Sequence, residues 1–343
     1  MQQARVALVA KVVMVFVTIV LVELGLRLAR YPHLLCRYIS KTNETTLGQY
    51  DSDVGWRWQP ARSFSNRGVT YHFDSVGLRA PAFGQEVDFS KPRILFIGDS
   101  VAFGYGLNYE QTYAAKIGRL LDDSYSIVNA AVEGYGSDQA YLRMQQVIAY
   151  VQPTAIVATF IADHNTRNLN RDRRQQLRCF EFPAYKPVPA LVDGRLVLRS
   201  SAAPIRSQSE SAIKVAIQDV YDRARQQLAR ESGYDVAISK AIMKSMASVK
   251  VHDQVVPTYF IYYDAQYSPT KNFNDDLVQE LFYSQGLRVL PFYNWAADSD
   301  QPKYFAEPDD YFHPGDVLTN QIAEQFVNRF GSEIKGLSAQ SSH

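Results

Sequence analysis

The hydrophobic pattern divides the chain into stretches of different rhythm. Val6 to Leu28 is dominated by apolar side chains, nearly unbroken from Val12 to Val22. At about 1.5 Å per residue this run reaches roughly 34 Å, enough for a hydrocarbon core of about 30 Å. Lys11 and Glu23 interrupt it, each about 9 Å along the axis from the central Val17, where a charge costs well below its midplane value. No small-x-small cleavage site follows, because the run continues into Leu28-Ala29-Arg30-Tyr31. The expectation is an uncleaved membrane anchor over residues 1–35 rather than a signal peptide. Arg5 and Lys11 flank one end and Arg27, Arg30 and Arg37 the other, so charge alone does not orient it.

Residues 36–90 show neither period. Gly55-Trp56, Pro60, Asn66-Arg67-Gly68 and Pro81 punctuate short segments, and the stretch reads as an irregular lead-in. After Pro92 short β-branched or aromatic runs alternate with helical ones. Strands are expected at Arg93–Ile97, Ile127–Val132, Ala155–Ile161, Val255–Tyr263 and Leu287–Phe292. Helices are expected at Glu110–Leu121, Asp138–Tyr150, near Asn274–Gln285 and from Asp316. The last carries Leu318, Ile322, Phe326 and Phe330 at i+4 spacing. Such alternation implies a three-layer α/β/α sandwich with a five-stranded parallel sheet, over residues 91–335. Between the third and fourth strands an insertion at about 165–250 opens with Arg167, Arg171, Arg173, Arg174 and Arg178, read as a solvated face. It continues through a hairpin signal at Asp193-Gly194 to a helical portion at 212–249.

Composition removes several function classes. Lys and Arg number 36 against 35 Asp and Glu, a formal net charge of +1 that gives no footprint for nucleic acid. The two cysteines, Cys36 and Cys179, are too few for a disulfide framework and form no CxxC pair for zinc. Leu35 directly before Cys36 argues against lipid attachment there. No metal or organic cofactor is implied.

In a parallel sheet the chemistry lies just past the carboxyl ends of the strands. The first strand of the alternating region ends in Gly98-Asp99-Ser100, a serine after a glycine that lets the backbone turn sharply. A serine nucleophile needs a histidine base, and that histidine needs an acceptor for its other nitrogen. Of the six histidines only His313 has a carboxylate three residues earlier, in Asp310-Tyr311-Phe312-His313. That pair precedes the last helix, at the same edge of the sheet. Ser100, His313 and Asp310 are therefore the candidate triad.

These blocks resemble the SGNH (GDSL-like) hydrolase superfamily. Gly98 to Gly104 is similar to its first block, Asn129 to Gly134 to its second, and Asp310 to Gly315 to its last. Asp74 to Arg79 looks like a segment that precedes the domain in anchored bacterial members. The resemblance implies an oxyanion hole built from the N–H groups of Ser100 and Gly134. The third block departs from the family pattern, G-x-N-D. Phe160-Ile161-Ala162-Asp163-His164-Asn165 places Ala162 where the family has its Asn, leaving Asn165, His164 or no side chain as the further donor. The implied activity is ester hydrolysis through an acyl-enzyme, with O-acetyl groups on a cell-envelope or exported polysaccharide as substrate. Acyl transfer to a sugar hydroxyl by the same triad, and a non-catalytic assembly subunit, are the alternatives. The implied location is the inner membrane, single-pass, with the catalytic part in the periplasm.

Overall fold

Short runs of β-branched and aromatic residues build the sheet on which everything else is placed. The structure, a computed structural model, describes residues 2–30, 48–66, 68–171, 173, 184–198, 203–204, 211–266, 275–295, 304–306, 310 and 312–340. Eight strands form the main sheet: β1 (Ser63–Asn66), β2 (Val69–Phe73), β3 (Arg79–Ala80), β4 (Arg93–Ile97), β5 (Ser126–Asn129), β6 (Ala155–Phe160), β7 (Thr258–Gln266) and β8 (Arg288–Trp295). Their order is β8-β7-β6-β4-β5-β3-β2-β1. From β8 to β5 the strands are parallel, with Leu95 between Val128 and Ile156, and Phe260 between Ala158 and Val289. These are the five strands expected from the pattern.

The described helices are α1 (Gln2–Arg30), α2 (Ser100–Phe103), α3 (Tyr113–Leu120), α4 (Ser137–Val151), α5 (His164–Leu169), α6 (Ala212–Glu231), α7 (Tyr234–Ala247), α8 (Asp275–Leu281) and α9 (Asp316–Gln340). Successive strand residues point to opposite faces, which makes the layering explicit. Tyr259 packs against Phe326 and Phe330 of α9, whereas Phe260 meets Phe282 just past α8. Helices α9 and α3 pack together on the first face, and α4, α5, α7 and α8 on the second. The i+4 stripe of α9, Leu318, Ile322, Phe326 and Phe330, is buried throughout.

The sheet is larger than the pattern suggests, and the lead-in is not irregular. β3, β2 and β1 continue past β5 in antiparallel fashion, starting from the pairing of Arg79 with Asn129. Without them the edge of β5 would present bare N–H and C=O groups. These strands were hidden because each is only two to five residues long and bounded by Asn, Gly or Pro; β1 alternates between exposed and half-buried positions. A further hairpin, Gly48–Asp51 with Gly55–Trp58, precedes them.

In the insertion, strands Pro189–Val192 and Arg195–Leu198 pair across Asp193-Gly194, both at positive φ as a tight hairpin turn requires. Its helical portion is two helices, α6 and α7, separated at Gly233. Helix α1 contains an apolar stretch, Val9–Leu28, that is long enough to cross a membrane and has no buried residue. Cys36, Cys179, Arg174 and Arg178 lie outside the described residues.

Candidate active site

Strand β4 delivers Gly98 at φ 149°, a backbone that L side chains rarely adopt. A Cβ there would lie 2.8 Å from the Ala102 Cβ and 3.2 Å from the Thr159 Cβ. The chain then enters α2, whose first residue is Ser100, with Asp99 as the cap: its carboxylate accepts from the Val101 N–H at 3.0 Å. Arg79 holds the other end of α2. Its buried guanidinium donates to the carbonyls of Phe103, Gly104 (2.9 Å) and Leu107. The turn that presents Ser100 is therefore fixed at both ends by side chains.

Ser100 Oγ lies 2.8 Å from His313 Nε2, and His313 Nδ1 lies 2.6 Å from Asp310 Oδ2. The second Asp310 oxygen accepts from the N–H groups of Phe312 (2.8 Å) and His313 (3.0 Å). Burial alone would raise the Asp310 carboxyl, but the His313 contact and those two N–H groups outweigh it and hold the carboxyl below its ordinary range. The loop bearing His313 is tied down on several sides. Tyr263 Oη donates to the Phe312 carbonyl at 2.8 Å, the Ala306 N–H to the His313 carbonyl at 3.0 Å, and the Gly315 N–H to the Tyr304 carbonyl at 2.6 Å. Tyr105 lies over the imidazole with centroids 4.5 Å apart.

The N–H groups of Ser100 and Gly134 donate to no carbonyl among the described residues. Gly134, at φ 77°, sits in a loop held by the lead-in. Trp56 Nε1 donates to the Glu133 carbonyl at 3.1 Å and Trp58 Nε1 to the Ala131 carbonyl at 3.0 Å, while Tyr135 Oη donates to the Trp56 carbonyl. Asn129 ties this loop to the nucleophile, its Nδ2 donating to the Ala102 carbonyl at 2.9 Å.

The third block is built around a buried charge cluster. His164 is not free to act as an oxyanion donor: it is fully buried, and its Nε2 lies 3.2 Å from Asp99 Oδ2. Burial pushes the imidazole down, so the neutral ring donates that N–H to the carboxylate. Asn165 lies on the first turn of α5, 8% exposed, and its carboxamide makes no side-chain hydrogen bond among the described residues.

The arginines read as a solvated face are partly the reverse. Arg167 donates to Asp99 (3.0 Å), Asp163 (2.6 Å) and the Tyr135 carbonyl (3.0 Å), and buried Arg173 donates to the Gly134 carbonyl at 3.1 Å. A run of five arginines beside a strand gives no sign of which ones fold inward. Their partners, Asp99 and the Gly134–Tyr135 backbone, are far away in sequence.

Asp99, like Asp310, is held below the ordinary carboxylate range. Burial opposes ionisation, but His164, Arg167 and the Val101 N–H together prevail. A depressed carboxyl stabilises the fold fully above its unfolded value, about 3.9, and that contribution is lost as pH falls through the folded value. Thermal melting should therefore fall steeply below about pH 4, and Asp99→Asn should flatten that decline in a melting series from about pH 6 to pH 2.

The arrangement can move a proton from a serine hydroxyl to an imidazole whose other nitrogen is held by a carboxylate. Several solved structures described as esterases or lipases are similar to the chain. The esterase EstA from a psychrotrophic Pseudoalteromonas sp. is 12% identical, covering 71% of this chain and 100% of its own, with a TM-score of 0.40. A lipase/acylhydrolase from Enterococcus faecalis is 12% identical, covering 71% and 96%, with a TM-score of 0.39. A family two carbohydrate esterase from Clostridium thermocellum, solved with cellohexaose, is 13% identical, covering 74% and 67%, with a TM-score of 0.39. Neither a family model nor a curated relative matches the chain.

Proposed function

We propose that the chain is a membrane-anchored serine esterase that removes small acyl groups, O-acetyl above all, from a cell-envelope or exported polysaccharide. The observation that carries this reading is the continuous contact from Ser100 through His313 to Asp310. Ser100 attacks the ester carbonyl and His313 takes its proton. Asp310 stays ionised and holds the imidazole tautomer. The tetrahedral oxyanion is met by the N–H groups of Ser100 and Gly134, with the Asn165 Nδ2 as the further donor. His313 then protonates the leaving sugar oxygen, and water, activated by the same imidazole, releases the acid.

With α1 in the inner membrane, the folded part lies on the periplasmic side, where such glycans are exposed.

The test is p-nitrophenyl acetate turnover and fluorophosphonate labelling of the full chain in detergent, with Ser100→Ala alongside. Labelling and turnover should both vanish in the variant, a loss of about 10³-fold or more. Labelling or turnover that survives Ser100→Ala overturns the reading. Acetylated polysaccharide offered with an unacetylated acceptor glycan distinguishes hydrolysis, which releases acetate, from transfer, which moves the ester.

A further inference from the structure

Helix α6 turns its apolar side chains away from the fold. At 100° per residue Val220, Ile213, Ala224, Ile217, Leu228 and Tyr221 fall within one stripe about 100° wide. Ile217, Val220, Tyr221 and Leu228 are 66%, 69%, 62% and 66% exposed. Among the described side chains, those facing the fold are small or polar: Ala212 and Ala229 are buried, and Gln226 donates to the Asn170 carboxamide oxygen. A surface helix of a water-soluble fold has the opposite arrangement, and an exposed apolar patch of this kind marks a contact surface.

Two observations identify what covers it. The first is where α6 begins. Glu23 of α1 accepts from the N–H groups of Ala212 at 2.8 Å and Ile213 at 3.0 Å, and from the Ser211 hydroxyl at 2.9 Å. Glu23 lies five residues before Leu28, where the apolar stretch of α1 ends. At about 1.5 Å per residue that is roughly 7.5 Å inside the stretch, and an interfacial helix rests its apolar face about 5–10 Å into the boundary of headgroups and acyl chains. The helix thus starts at the depth at which its stripe would meet lipid.

The second observation is how completely its start is satisfied. The first three N–H groups of α6 go to side chains: two to Glu23, and the third, of Lys214, to Ser211 Oγ at 3.3 Å. Arg27 Nε, 2.7 Å from Glu23, neutralises the carboxylate. Water would serve those N–H groups at an ordinary surface; where water is scarce they need partners from the chain. The same contact gives Glu23, an acidic residue in an apolar run, a structural reason to be there.

We propose that α6 lies along the bilayer surface with its Ile213–Leu228 stripe in the lipid, a second membrane contact that fixes how the catalytic fold sits over the membrane. Lys214 and Arg225, exposed at the edge of the stripe, extend toward the headgroups.

The experiment uses the full chain, one copy per phosphatidylcholine nanodisc, with Cys36→Ser and Cys179→Ser. Single cysteines are introduced as Val220→Cys and Leu228→Cys on the stripe and Arg230→Cys off it, each carrying an environment-sensitive fluorophore. With doxyl-labelled acyl chains in the disc, quenching at 220 and 228 should exceed that at 230 about twofold or more, and Glu23→Ala should lower it at 220. Equal, weak quenching at all three positions overturns the proposal. So does a blue-shifted but unquenched probe at 220 and 228, which would mean that protein and not lipid covers the stripe. Melting temperature reports the fold of each variant, and Ile217→Cys replaces Val220→Cys if the latter does not fold.

Discussion

Asp310→Asn is expected to lower kcat about 10⁴-fold while the protein remains folded by circular dichroism. The reason lies in how the carboxylate is held. One oxygen accepts two backbone N–H groups and the other faces His313 Nδ1. An asparagine keeps its oxygen on the backbone donors and so turns its NH₂ toward Nδ1. Two donors cannot face each other, and the imidazole must move its proton to Nε2, the atom 2.8 Å from Ser100 Oγ. In that tautomer the ring cannot take the serine proton. Steady-state kinetics on p-nitrophenyl acetate measure the loss, and a variant retaining more than about a tenth of kcat would remove Asp310 from the mechanism.

Arg167→Met should cost both stability and rate. Arg167 is the one described side chain that bonds both Asp99, next to the nucleophile, and the Tyr135 carbonyl, next to Gly134. It therefore ties together the two segments that carry the Ser100 and Gly134 N–H groups, the proposed oxyanion donors. Removing it leaves the fully buried Asp99 carboxylate with His164 and one backbone N–H, a change worth about 3–5 kcal/mol in comparable buried pairs. The rate effect comes from misplaced donors, and the loss of one such donor costs about 10²–10³ in kcat. The expected signature is a lower kcat with little change in KM. Arg167→Lys should restore some stability but not both bonds, because an ammonium lacks the planar fork. If melting falls in Arg167→Met and kcat does not, Arg167 holds the fold and plays no part in placing the donors.

Much of this was legible in the sequence, for reasons that also mark the limit. Strands such as Arg93–Ile97 and Ala155–Phe160 are buried on both faces, so their side chains are apolar without interruption and stand out from their surroundings. The triad candidates could be read because a serine after a buried strand and a histidine three residues past an aspartate are both rare here. The structure places His313 within hydrogen-bond distance of both Ser100 and Asp310. The lead-in strands could not be read, since a two-residue strand such as Arg79–Ala80 is too short to show any period and is defined only by its pairing with Asn129 on one side and His72 and Phe73 on the other. The inward turn of Arg167 and Arg173 was equally hidden. Their buried partners are backbone carbonyls and a carboxylate about thirty to seventy residues distant, and nothing local distinguishes them from Arg171, which is exposed. The role of Glu23 required seeing the start of α6 against it.

The indoles of Trp56 and Trp58 reach from the lead-in to the carbonyls of Glu133 and Ala131, and Gln139 Nε2 returns the contact to the Val54 carbonyl at 2.7 Å. The smallest fragment able to keep its active-site geometry therefore begins before Val54. A cut at Pro92, where strands and helices start to alternate, would keep Ser100, Asp310 and His313 yet remove Arg79 from the end of α2 and release the loop that carries Gly134. For this chain the segment 54–58 is therefore no interchangeable spacer, because it holds the loop that carries Gly134.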